Sequence, residues 1–251
     1  MTRPRVIAHR GSSVRHPDNS WAAFHAALEE HADAIECDVQ ATRDGVLVIR
    51  HDLAVDGHSV ADLSATQFHA LTGTLVTLQE VLAWAAAADI GLLVELKDPE
   101  AAGAVAAMIG DSAAARQCVL GSFSAPALVA ARAARSDIRT SFMMGSVAGP
   151  VELVALARAC EADGVHLCWE SRAPHPHRLL DAGVIARLRQ AGLAITLWHE
   201  ERDDELRALV ALAPDAICTN TPAELRRIIE AQQAPANAGH AHSDRVAATG
   251  G

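Results

Sequence analysis

Short apolar runs alternate with amphipathic stretches of helical period along the chain, and this alternation is the strongest constraint on its fold. The strand-like runs are RVIAH (5–9), DAIECDV (33–39), VLVIRH (46–51), IGLLVELK (90–97), QCVLGSF (117–123), IRTSFMM (138–144), DGVHLCW (163–169), LAITLW (193–198) and DAICTN (215–220). Between them the pattern predicts helices over 19–31 (capped by Asp18 or Asn19), 77–88, 101–109, 125–134, 151–161 and 177–191, one opening at Asp203, and a closing helix over 222–231. Strands that alternate with helices in this way form parallel sheets. At 251 residues, with no GxGxxG after the first run, the chain is expected to be an α/β protein with a (β/α)8 TIM-type barrel rather than an open Rossmann sheet. There is one run too many for eight strands. Asp44-Gly45 signals a tight hairpin turn before the third run, which is therefore expected as an extra antiparallel strand at the rim.

Composition narrows the function classes. Half of the residues are hydrophobic, which suits one large domain, here residues 1–230. Residues 231–251 lack periodicity and are small, polar and rich in Pro and Gly, so a disordered C-terminal tail is expected. No uncharged apolar run reaches the length of a membrane span, and the opening MTRPRVIAHRG lacks the apolar stretch of a secretory signal. Five cysteines (Cys37, Cys118, Cys160, Cys168 and Cys218) sit in apolar segments without a CxxC pair, as buried free thiols of a cytoplasmic protein would. A net charge of −10 without a basic stripe argues against nucleic acid as a partner. An anionic substrate would need local cations or a metal to draw it in.

The active site of such a barrel lies at the C-terminal ends of its strands. The first run ends in His9-Arg10-Gly11 and the second in Glu36-Cys37-Asp38, where period 2 puts both carboxylates on one face. The hairpin strand ends in His51-Asp52, and antiparallel pairing would bring His51 close to Glu36. The run GLLVELK ends in Glu95 and Lys97, again on one face, and Lys97 is the only lysine in the chain. Arginine replaces lysine readily on a solvated surface, but not where a compact charge on a flexible stem must approach an oxyanion. Three carboxylates cannot crowd together ionised without a counter-charge. A divalent cation resolves this, and an all-oxygen set favours Mg²⁺ or Ca²⁺, with Mn²⁺ a third candidate. Two histidines suit general acid/base work, while Arg10 and Lys97 suit a phosphate oxyanion. Together these parts point to phosphodiester cleavage.

The stretches IAHRG, PDN, IECDVQATRDGVLVIRHD and VELK resemble the glycerophosphodiester phosphodiesterase family of metal-dependent barrels, whose pattern is HRG, PEN, ExD, DG with HD, then E-hydrophobic-K. The likeness extends to GSFS (121–124), Trp198 and ICTNTP (217–222). It implies that Glu36, Asp38 and Glu95 are metal ligands, that His9 and His51 are the catalytic acid/base pair, and that Arg10 and Lys97 contact phosphate. It also implies a small-molecule phosphodiester substrate cleaved to glycerol 3-phosphate and an alcohol. Which histidine is the base is left open. Three departures stand out. Asp18 replaces the usual Glu of the PEN segment, the small insertion after His51 is reduced, and His199-Glu200-Glu201 replaces Thr-Val-Asn after Trp198.

Phe123 and Trp198 end strands at the same rim and are candidates for an apolar wall against a glycerol or choline group, while His166 is a candidate substrate-facing residue. His175 and His177 in APHPH read as solvated loop residues. Two alternatives remain. A lysophospholipase D-like phosphodiesterase would want an apolar rim segment, which the sequence does not make evident. A non-catalytic barrel used as a binding module would be expected to have lost a ligand or a histidine.

Overall fold

The computed structural model describes residues 3–169, 173–180 and 182–233. Eight parallel strands close into a barrel: β1 (Arg5–His9), β2 (Ala34–Ala41), β6 (Gly91–Leu96), β7 (Cys118–Ser122), β8 (Arg139–Met144), β9 (Gly164–Cys168), β10 (Ala194–Trp198) and β11 (Ala216–Thr219). Closure is made by β1, which pairs with β11 on one side and β2 on the other. The extra strand is β3 (Leu47–Ile49), antiparallel to β2 with Gln40 opposite Val48, so the hairpin expected from Asp44-Gly45 forms at the rim. Helices α1 (Trp21–Glu29), α3 (Leu78–Ala88), α4 (Ala102–Asp111), α5 (Ala125–Ala134), α6 (Pro150–Ala159), α7 (Ala182–Gln190), α8 (Asp203–Ala211) and α9 (Pro222–Gln233) follow the strands.

Strand periodicity divides the core in two. In β2, Ile35, Cys37 and Val39 join the layer between sheet and helices, with Phe24, Leu82, Val94 and Ile228. The opposite face supplies a smaller cluster in which Ile7, Ala34, Leu93, Ala216 and Cys218 meet. Strands buried on both faces explain why the runs read as continuously apolar rather than alternating. Each fully buried Leu or Ile contributes about 1.5–3 kcal/mol relative to exposure.

Several local expectations shift. Ser20, not Asp18 or Asn19, caps α1, accepting from Ala23 N, because Asn19 has φ +52° and sends its side chain elsewhere. The helix expected over 177–191 is a 3-10 turn, Pro176–Leu179, followed by α7. The segment after His51 is short but ordered, with a hairpin of β4 (Ala54–Val55) and β5 (His58–Ser59) and the helix α2 (Ala65–Thr72), capped reciprocally by Ser64 and Gln67. Val48, Val55, Val60, Leu63 and Phe68 give it a core of its own. α9 runs on to Gln233; the remainder of the expected tail lies outside the described residues. Cys37, Cys118, Cys160 and Cys218 are buried and form no disulfide, whereas the Cys168 side chain lies outside the description. Among the described residues no helix is long and apolar enough to cross a membrane.

A repeated device closes the N-terminal rim. Asp33, Asp163 and Asp215 each precede a strand, and each side chain accepts a backbone N–H of the preceding barrel strand: Val6, Thr140 and Ile195, all at 2.8 Å. Their own N–H groups donate back to the carbonyls of the same three residues, at 2.8, 2.9 and 2.9 Å.

Candidate active site

Register brings the acids together. His9 is level with Glu36 across β1 and β2, and Asp38 is level with Glu95 across β2 and β6. All three carboxylates are buried, and one oxygen from each lies within 4.8 Å of the others. Glu36 Oε2 accepts from Arg10 N at 3.0 Å, Asp38 Oδ2 from Asn19 Nδ2 at 2.8 Å, and Glu95 Oε1 from Lys97 Nζ at 2.8 Å. Glu36 Oε1 remains buried without a hydrogen-bond partner, and Asp38 Oδ1 has no hydrogen bond and only the Lys97 ammonium nearby at 3.5 Å. Buried acceptors are normally satisfied, so two carboxylate oxygens without hydrogen bonds in one cluster fit a hard divalent cation.

The electrostatics agree. Burial pushes the Glu36 carboxyl well above the usual carboxylate range; Asp38 and Glu95 add to that and Arg10 opposes it. Glu95 is also raised, by burial and by Asp38, against the pull of Lys97. Burial works against the charge on Lys97, but Glu95, Asp38 and Glu36 outweigh it and raise the ammonium's pKa. Lys97 Nζ stands 2.8 Å from Glu95 and 3.5 Å from Asp38, a place for one compact charge. Arg10 Nη1 lies 3.1 Å from Asp18, and Arg10 Nε lies 3.3 Å from Asp38.

The first turn after β1 depends on one glycine. Arg10 and Gly11 both have positive φ, +57° and +84°. A Cβ at Gly11 would meet the Ala23 backbone at 2.6 Å as well, so the HRG bend requires glycine on both counts.

His9 is buried beside Glu36, with Nε2 3.8 Å from Glu36 Oε2. Its Nδ1 lies 2.7 Å from Asn220 Oδ1, an oxygen that can only accept and that also accepts from Ser13 Oγ at 3.0 Å. The ring therefore carries its proton on Nδ1 and its lone pair on Nε2. Burial, then the Arg10 charge, pushes His9 well below the ordinary histidine range, so it is neutral. His51 is more open, and its Nδ1 lies 3.0 Å from Asp52 Oδ1. Gln40 Nε2 steadies that segment, donating to the carbonyls of Arg50 and Asp52 at 2.7 and 2.9 Å.

Trp198 meets His9 edge-on at 5.4 Å between ring centroids, and Phe123 lies 5.7 Å from Trp198 with its ring exposed. His166 is fully buried, 5.5 Å from Trp198, and burial lowers its pKa to about 3. Sequence reasoning missed Asn19, Gln40, Asn220, and His199, whose ring stacks on His9 at 4.7 Å while Nδ1 meets Glu201 at 2.9 Å. Arg10, Ser13, His16, Asp18, His199 and Asn220 line an open cleft beside His9. Gln40 had a readable signal, being in phase with Glu36 and Asp38.

With this geometry in hand, the comparison with known proteins decides the family: the family model for glycerophosphoryl diester phosphodiesterases matches residues 9–224. The chain belongs to that family. Within it, "Probable glycerophosphodiester phosphodiesterase 2" of Mycobacterium tuberculosis H37Rv is 30% identical over 249 residues, covering 90% of this chain and 91% of that protein. "Probable glycerophosphodiester phosphodiesterase 1" of M. tuberculosis CDC 1551 is 46% identical over 79 residues, 31% of this chain and 27% of that protein. That match spans only about a quarter of the relative's length. A solved structure of an Oleispira antarctica phosphodiesterase, in complex with the product sn-glycerol-3-phosphate, superposes with a TM-score of 0.77 at 21% identity, covering 91% of this chain and 97% of that one. The shared fold is the barrel described above.

Proposed function

We propose that this chain hydrolyses glycerophosphodiesters to glycerol 3-phosphate and an alcohol, with a divalent cation held by Glu36, Asp38 and Glu95. The observation that carries the reading is the buried triad, with two carboxylate oxygens that lack hydrogen bonds, beside a neutral histidine. Family membership and the product held by the Oleispira antarctica neighbour support the substrate class. Mg²⁺, Ca²⁺ and Mn²⁺ are the candidate ions. When bound, the cation supplies Lewis-acid polarisation of a phosphoryl oxygen.

The chain's own residues supply the proton transfers. We assign His9 as the base, because Asn220 leaves the lone pair on Nε2. It takes the proton of the attacking hydroxyl as the new P–O bond forms. His51, oriented by Asp52, gives its proton to the leaving alkoxide as the old P–O bond breaks. In a glycerol ester the neighbouring hydroxyl attacks first, and water then opens the cyclic phosphate with the two histidines in exchanged roles. Lys97 and Arg10 pair with non-bridging oxygens. Phe123 and Trp198 wall the alcohol side, and His166 backs that wall. Buried thiols in the described residues support a cytoplasmic location.

A second reading has an observation of its own. Val14, Leu53, Phe123 and Val147 stand exposed in segments following β1, β3, β7 and β8, apolar positions that the sequence pattern does not single out. They would suit a lysophospholipid chain, making the enzyme lysophospholipase D-like.

The test supplies chelator-stripped protein with Mg²⁺, Ca²⁺ or Mn²⁺ and measures glycerol 3-phosphate released from glycerophosphocholine, with choline release from lysophosphatidylcholine in parallel. Metal-restored cleavage of the first substrate is expected. A folded, metal-loaded protein inert on both would overturn catalysis in favour of a binding module. An aryl ester with a good leaving group needs no acid, so it should rescue His51→Ala and not His9→Ala; the reverse would exchange the assigned roles.

A further inference from the structure

Away from the triad, the segment after β9 carries His175-Pro176-His177, and both rings converge on one carboxylate. His175 Nδ1 lies 2.6 Å from Glu205 Oε1, and His177 Nδ1 lies 2.7 Å from Glu205 Oε2. Glu205 stands in the first turn of α8 and is 4% exposed, while the His175 side chain is 51% exposed. One donor atom from each of the three residues lies within 4.8 Å of the others. The proposed hydrolysis uses none of them.

We propose that His175, His177 and Glu205 form a second metal site, suited to Zn²⁺ or a similar transition ion, that fastens residues 173–180 to α8. The donor set separates it from the barrel triad. Two imidazole nitrogens and a carboxylate oxygen are zinc ligands, whereas three carboxylates select a hard cation. The two Nδ1 atoms sit against opposite oxygens of one nearly buried carboxylate, so their lone pairs converge once the protons move to Nε2. Bonds of about 2.0–2.1 Å to one ion require donors a little over 3 Å apart, so the cluster opens by about half an ångström. Buried Pro176 holds the spacing between the histidines by fixing its own φ. Arg202 Nη1 donates to Pro174 O at 2.6 Å and steadies the approach, its charge already matched by Glu200. The exposed side of His175 is the entry path, and three protein donors leave a fourth tetrahedral position for water.

The test titrates Zn²⁺ into the full-length chain by calorimetry, with the barrel triad held by excess Mg²⁺, and follows Tm. One equivalent is expected in the wild type, with Tm rising several degrees. His175→Ala should lose that equivalent and most of that rise while keeping Mg²⁺-dependent hydrolysis. The double variant His240→Ala/His242→Ala, in the C-terminal stretch, should keep it. Glu205→Gln should also lose it; should it fail to fold, His175→Ala decides, because that side chain is largely exposed. If His175→Ala retains the wild-type stoichiometry and Tm shift, or if the wild type takes up no Zn²⁺, the cluster is a hydrogen-bonded clasp only and the proposal falls. The hydrolysis reading stands or falls separately, on the Mg²⁺ assay.

Discussion

At the scale of single residues, Lys97 shows how a lone lysine can outlast a chain-wide preference for arginine. Its ammonium sits between Glu95 and Asp38, where the wider planar guanidinium cannot place one charge at 2.8 and 3.5 Å. Lys97→Arg should therefore fold normally yet lose roughly 10–100-fold in kcat, about 1.4–2.7 kcal/mol of transition-state stabilisation. A variant at the wild-type rate would show that any cation serves there. The shared face of Glu36 and Asp38 was legible because strand period 2 is a local rule. Asn19 was not, because its role rests on a positive φ that aims the amide at Asp38, and its sequence neighbourhood suggests a helix cap instead. Asn220 and His199 were hidden for another reason: each acts through His9, more than 180 residues away in sequence.

At the scale of elements, the aspartates that open DAIECDV, DGVHLCW and DAICTN were in plain view without their meaning. The strand pattern said where the runs began, but not that each carboxylate accepts an N–H from the strand beside it. Asp33 is the most heavily engaged: Arg3 pairs with it at 2.8 Å, Arg226 at 2.9 Å, and Val6 N donates to it. Burial alone would raise its pKa, yet these partners lower it to about 2. Because the folded value lies below the unfolded one, the stabilisation is complete above about pH 4 and is lost as pH falls toward 2. Discounted for partial exposure, it is worth about 1–2 kcal/mol. Asp33→Asn should lower Tm by several degrees at pH 7 and narrow the gap to wild type near pH 2.5, as thermal melts across pH would show. A gap that stays constant would mean the carboxylate charge contributes nothing. The helix α2 and its hairpin went unread because short elements with a five-residue core carry little periodic signal.

At the scale of the whole molecule, the barrel was legible from alternation and length, and the surplus run resolved into the rim strand β3. The net charge of −10 has a consequence of its own. On the proposed reading, an anionic substrate approaches against the general field and is captured near Arg10 and Lys97. For a singly charged glycerophosphodiester, kcat/KM should rise as ionic strength increases from about 0.01 to 0.1 M, where the Debye length shrinks from about 30 to 10 Å. A fall over that range would mean the local cations dominate at long distance.

On the proposed function, Glu36, Asp38 and Glu95 hold the cation on which phosphodiester cleavage depends. The most direct measurement is the initial rate of glycerol 3-phosphate release against Mg²⁺ concentration, for chelator-stripped wild type beside Asp38→Asn, which keeps the shape and removes the charge. Expected are no activity without metal, saturable recovery in the wild type, and a rate lower by on the order of 100-fold or more in the variant. Full activity in chelated wild type, or a wild-type curve from Asp38→Asn, would contradict that reading.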